Sequence, residues 1–107
     1  MMVVRKDTRL SVRCPVTYVL EDGTCQGTTF NLSRGGCAIE SDEMAPQGES
    51  VSLQIMAPGQ PTAIRVELGR VCWATRREFG VEFLVIQGDS KERLNHYLTE
   101  VAKQNAV

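Results

Sequence analysis

Ile64-Arg65-Val66-Glu67-Leu68-Gly69-Arg70-Val71-Cys72-Trp73 alternates apolar and charged residues as far as Leu68, after which Val71 and Trp73 resume on the opposite parity. Period-two alternation marks a strand with one buried face. A one-residue slip sends every later side chain to the other face, so a straight strand cannot bury both halves. The simplest repair is a bulge or sharp bend at Gly69-Arg70, a device small barrels use at their corners.

The flanking sequence supplies more strands. From Ser11 to Leu20, Val12, Cys14, Val16, Tyr18 and Leu20 alternate with Arg13, Pro15, Thr17 and Val19, and Pro15 puts that strand at an edge or opening. Asp22-Gly23 suits a tight hairpin turn, returning a second strand through about Cys25 to Phe30. A loop from Asn31 to Gly36 follows, then a short strand, Cys37 to Ser41. After a loop with Pro46 and Gly48, Val51, Leu53 and Ile55 alternate with Ser52, Gln54 and Met56. Beyond the strand that opened this section, Phe79, Val81, Phe83 and Val85 point one way in a last strand. The tail changes period: Leu94, Tyr97, Leu98, Val101 and Ala102 repeat at three and four, giving a helix over 89–104 that covers the barrel, with Asp89 and Glu92 as a capping box. The expected fold is all-β, a six-stranded antiparallel β-barrel with a C-terminal α-helix. At 107 residues the chain forms one domain, divided into an arm (1–10), a barrel (11–86) and the helix.

Lysine plus arginine number 12 against 13 acids, an ordinary soluble balance. The charge is unevenly spread: residues 1–13 hold four basic residues and one acid, so the arm is positive and the remainder negative. Net charge −1 and six aromatic residues argue against a nucleic-acid-binding barrel. Cys14, Cys25, Cys37 and Cys72 form no metal-binding spacing and read as reduced core thiols of a cytoplasmic protein; no metal is expected. Met1 to Val4 is too short for the apolar run of a signal peptide, and no stretch approaches a membrane span. The single histidine, His96, falls beside the helix's apolar stripe, and Ser33 has neither an elbow nor a nearby base, so no catalytic residues are assigned and an enzyme is not expected.

Two segments stand out as a grip. Arg5 and Arg9 lie on one face of a helix, or up to ~13–14 Å apart on an extended arm. Such pairs are often only solvated charge. Their guanidiniums also match a phosphate or the N7/O6 edge of guanine, and stack on a base. Asn31-Leu32-Ser33-Arg34-Gly35-Gly36 reads either as a plain turn or as a polar concavity: an amide from Asn31, a hydroxyl from Ser33, backbone N–H groups from Gly35 and Gly36, and charge at the rim from Arg34.

Together, Arg5-x-x-x-Arg9 leading into a first strand and Asn31-x-Ser33-x-x-Gly36 after a second strongly resemble the PilZ domain, a bacterial receptor domain for cyclic di-GMP. Gly69-Arg70-Val71-Cys72-Trp73 and Phe79-Gly80-Val81-Glu82-Phe83 resemble that family's later strands, so the likeness covers nearly the whole chain. The resemblance implies a binding domain whose arm folds over one end of the barrel and traps the dinucleotide against the turn. By that likeness Arg5 and Arg9 contact guanine edges and phosphates, Asn31 and Ser33 hold the other side, and Gly36 allows close approach; Trp73 matches a tryptophan that packs on a guanine in some stand-alone members, and reads equally as an ordinary core or interface tryptophan. Arg34 is not a motif position. Many members carry an arginine where this chain has Val4, which weakens the implied case for an intercalated ligand dimer and leaves stoichiometry open. The implied function is a cyclic di-GMP receptor with no output domain, relaying the signal by ordering its arm for an unidentified protein partner. The alternative is a PilZ-type adaptor in pilus or motility control that binds no nucleotide; intact Arg5 and Arg9 count against it.

Overall fold

In the computed structural model, which describes residues 9–21, 23–43 and 45–105, the chain forms β1 (Pro15–Leu20), β2 (Gly23–Leu32), β3 (Gly36–Glu40), β4 (Ser50–Ile55), β5 (Ile64–Ala74), β6 (Glu78–Ile86) and α1 (Gly88–Asn105). The strands close a barrel in the order β1-β2-β3-β6-β5-β4, and every pairing is antiparallel. This is the expected six-stranded barrel with one C-terminal helix. Closure leaves the sheet without free edges.

The core follows the alternation where strands run straight. Val16 and Tyr18 of β1, Val51, Leu53 and Ile55 of β4, and Ile64 and Val66 of β5 are all buried. Tyr18 packs edge-to-face on Phe79, with ring centroids 5.0 Å apart. Its hydroxyl donates to Ser41 Oγ at 2.7 Å, with the Glu43 carbonyl a second acceptor for the same proton at 3.0 Å, so the one polar atom of that large side chain is satisfied.

The departures come where the ladder slips. The phase change in β5 sits at Glu67-Leu68, earlier than the Gly69-Arg70 reading: against β6, Glu67 and Leu84 are each extra residues, and Leu68 faces Val85. Leu68 and Val85 are therefore exposed, where simple alternation would have buried them. A second slip, at Cys72, separates Val71 from Trp73: Val71 is buried, while Cys72 and Trp73 are exposed. Cys72 is thus a surface thiol rather than a core one.

Other boundaries shift by a residue or more. Leu20 faces Gly23, so the first hairpin turns one residue before Asp22-Gly23, and Gly23 takes φ 147°, a conformation that favours glycine. Asp22 itself lies outside the described residues. The ladder begins at Pro15 instead of Ser11. In β2, Phe30 is an extra residue opposite β3, and the strand runs on through Asn31 and Leu32, so the loop expected over Asn31 to Gly36 begins only at Ser33.

The helix closes the end of the barrel where β5 begins. Leu94, Tyr97 and Leu98 are buried, whereas Ala102 is exposed. Arg93 donates to the carbonyls of Thr62 at 2.8 Å and Ala63 at 2.9 Å, and Ser90 Oγ accepts from Arg65 N at 3.1 Å. The Asp89–Glu92 capping box does not form. Asp89 instead sits inside the first turn and pairs with Arg93 at 3.1 Å, while the Gln87 carbonyl accepts from Lys91 N, which starts the helical ladder ahead of Asp89. Among the described residues, no helix is long and apolar enough to cross a membrane.

Candidate ligand-binding site

The arm meets the barrel through backbone. Leu10 and Leu32 form an isolated antiparallel bridge, each N–H donating to the other's carbonyl at 2.9 Å. One side chain fixes the arm's root. Thr29, fully buried on β2, accepts from Cys14 N at 2.9 Å through Oγ1 and donates to the Val12 carbonyl at 3.0 Å, while its own N–H reaches the Cys14 carbonyl. Residues 10–14 are thereby laid along the end of β2.

That track delivers Arg9 to Asn31. Arg9 Nη1 donates to Asn31 Oδ1 at 3.0 Å, across 22 residues of sequence. The Phe30 bulge sits immediately before Asn31, and bulges re-aim the side chains beside them. The contact uses one oxygen of Asn31, so its amide NH₂ and the other N–H groups of Arg9 can serve a ligand.

Ser33 plays a different part from the one its hydroxyl suggests. It is buried; its N–H and its Oγ both donate to the Gly36 carbonyl, at 2.8 and 3.2 Å, and Oγ accepts from Gly35 N. Its hydroxyl therefore shapes the turn from inside. Neither Gly35 nor Gly36 has a positive φ, so the turn does not use glycine for that freedom. At Gly36 the requirement is space: a Cβ there would fall on the Val81 carbonyl. Gly35 ties the turn to β6 by accepting from Phe83 N at 2.9 Å, and Arg34 is exposed at its rim. Arg5 lies outside the described residues.

Trp73 is brought to the same face by the ladder. Asn31 faces Ala38, Ala38 faces Gly80, and Gly80 faces Trp73, which puts Asn31 and Trp73 in one row, three strand spacings or ~14 Å apart. A Cβ on Gly80 would run into the Trp73 indole, so the ring lies over that glycine, 37% exposed. The row thus has a guanidinium and an amide at one end, an aromatic plate at the other, and two small residues between. An anionic ligand with a planar base fits that chemistry.

The charge of Arg9 is also felt inside the barrel. Burial pushes the Cys37 thiol well above its ordinary range, and the charge of Arg9 is the one influence pulling it down. His96, in contrast, is exposed on α1, and among the described residues no group of three or more His, Cys, Asp or Glu is placed to hold a metal ion.

Sequence reasoning missed Leu10 and Thr29. A leucine and a threonine in or beside strands carry no signal for a backbone bridge or a double hydrogen bond; only the register reveals them.

The family model of the PilZ domain matches residues 4–100. The chain belongs to the PilZ domain family. Solved structures with the same fold include the Bacillus subtilis inhibitor of motility MotI/DgrA, with TM-score 0.80 and 20% identity over 99% of this chain and 55% of that one. YcgR from Escherichia coli in complex with c-di-GMP aligns with TM-score 0.73 and 16% identity over 94% of this PilZ domain and 46% of that chain. The PilZ domain of CeSA from a cellulose-synthesizing bacterium gives 0.70 and 17% over 89% and 98%. This PilZ domain spans about half the length of MotI/DgrA and of the YcgR chain. No curated protein sequence matches it.

Proposed function

We propose that this PilZ domain is a receptor for cyclic di-GMP that relays the level of the messenger to a protein partner. One observation carries the reading: Arg9 and Asn31, one from each of two motif halves far apart in sequence, touch at 3.0 Å. The fold likeness to YcgR, solved with c-di-GMP, supports the same ligand.

Each group has a role that its chemistry suits. Arg9, with Arg5 one motif step before it, supplies the forked donors that match phosphate oxygens or the Hoogsteen edge of guanine. Asn31 supplies amide hydrogen bonds beside them. Trp73 offers its indole to a base, and Ser33, Gly35 and Gly36 keep the turn in shape beneath. Arg34 adds positive charge at the rim. The Leu10–Leu32 bridge is the fixed point from which the preceding residues close over the ligand, altering the surface a partner meets. A receptor for an intracellular messenger acts in the cytoplasm, and the likeness to an inhibitor of motility makes motility control the first pathway to examine.

Titration calorimetry with cyclic di-GMP, GTP and cyclic AMP tests the reading. Selective binding of the first is expected. Absence of binding by cyclic di-GMP at micromolar concentrations, or equal binding of all three, overturns it.

A further inference from the structure

The slips in β5 and β6 do more than close the barrel. Extra residues at Glu67 and Leu84 turn Leu68 and Val85 outward, directly opposite one another. Both belong to alternations that would otherwise have buried them, and a local rule broken without a packing gain marks a place to look for function.

The outward pair extends into a stripe. Val19 of β1 faces Ser52 of β4, and Ser52 lies opposite the slipped segment that carries Leu68. Val19, Leu68, Leu84 and Val85 are all exposed, with Val85 at 44%. The stripe crosses four neighbouring strands, or ~14 Å at the usual strand spacing. Beside it a 770 Å³ groove runs between Val19 and Leu68, and its lining includes Glu21, Glu49 and Glu67 with no lysine or arginine. None of those three carboxylates is in an ion pair among the described residues. The groove flanks the hairpin end of β2, away from Asn31, so a ligand on Arg9 and Asn31 leaves it open.

The geometry points to this acidic, apolar groove as the docking site for a basic amphipathic helix of the partner protein. The inference rests on the receptor reading for the existence of a partner. The charge follows from three unpaired glutamates around apolar side chains, which favour lysine or arginine flanking leucine-like anchors and disfavour acids. The helical form suits the surface: closure leaves no sheet edge for a partner strand to pair with, and a helix sets successive apolar anchors along a stripe while its other faces carry the basic charge. A stripe of ~14 Å takes between two and three helical turns, and so anchors at i, i+3, i+4 and i+7.

The test uses the whole chain without nucleotide, so it reads the groove independently of the ligand site. The probe is a synthetic helical peptide with leucine at i, i+3, i+4 and i+7 and lysine elsewhere, beside a twin with glutamate in place of lysine. Amide shifts at Val19, Ser52, Leu68 and Val85 are expected with the lysine peptide alone, weakening as salt rises. Glu67→Lys and Leu68→Ser should each weaken binding at least about tenfold; because Glu67 is exposed, Glu67→Lys remains informative if Leu68→Ser fails to fold. No binding, shifts elsewhere, or equal binding of both peptides overturns the proposal. So does concentration-dependent dimerisation that Leu68→Ser abolishes, since a second copy would then be what covers the stripe.

Discussion

Arg9 Nη1 stands 3.0 Å from Asn31 Oδ1, so the arm and the polar turn, 22 residues apart in sequence, form one surface. The contact is exposed and contributes little to stability by itself. Its value is positional, because it holds a guanidinium beside an amide on the face that also carries Trp73. Arg9→Ala should therefore lower cyclic di-GMP affinity by ~1.5–3 kcal/mol, the range for a hydrogen bond to a charged group. Calorimetry on parent and variant, with melting curves alongside, checks this; the melting temperature should barely move.

Thr29 is the less visible half of the same arrangement. Thr29→Val keeps the shape but leaves Cys14 N and the Val12 carbonyl without their partner, at a cost of ~1–3 kcal/mol in urea unfolding, while Thr29→Ser keeps most of the stability. Faster amide exchange at Leu10 and Leu32 in the valine variant alone would show that the arm's root has loosened.

Much of this was legible in the chain, and the rest was hidden for identifiable reasons. Val16, Tyr18, Leu53, Ile55 and Val81 lie on straight ladders, where period two is enough to place them in the core. Leu68, Val85 and Trp73 lie beyond bulges, and a bulge moves parity without leaving a dependable mark in sequence. Gly69 pointed to an irregularity, yet the extra residue was Glu67, because the slip depends on the partner strand as well. At the site, the motif spacing named Arg9 and Asn31, which the structure brings together. It gave Ser33 a ligand-facing hydroxyl, whereas the turn's own carbonyl at Gly36 takes that hydrogen bond.

Gly36 offers a stability test. A methyl group there meets the Val81 carbonyl, so β3 and β6 must separate slightly. Gly36→Ala should cost ~1–3 kcal/mol, the usual range for overpacking, and urea denaturation should show it as a lowered midpoint. An unchanged midpoint would mean that the close approach is relieved cheaply.

Three buried acids set the response to alkali. Burial raises Cys37, Tyr18 and Tyr97 above their ordinary values, opposed in part at Cys37 by Arg9 and at Tyr18 by the Ser41 hydrogen bond. The unfolded chain loses these protons first, from the ordinary thiol value of 9.0 and tyrosine value of 10.0. Above those values it binds fewer protons than the native state, so stability falls as pH rises. Unfolding midpoints should hold level with respect to these groups up to about pH 9 and decline beyond it. A midpoint that held from neutral to strongly alkaline pH would contradict the burial argument.

Trp73 is the chain's single tryptophan, so its fluorescence reports one place. Cyclic di-GMP should change that emission, and Trp73→Ala should weaken binding by ~1–3 kcal/mol, the range for base stacking on an aromatic side chain. The fold should survive, since the indole lies over Gly80 on the outside of the barrel.

The most direct measurement is a titration of ¹⁵N-labelled protein with cyclic di-GMP, following backbone amides and the Trp73 indole N–H. Saturable shifts are expected at Arg9, Asn31, Ser33 to Gly36 and the Trp73 indole, with Arg9→Ala suppressing them. Shifts centred instead on Gly59, His96 and Val101, which line a separate groove beside α1, or no shifts at all, would contradict the account.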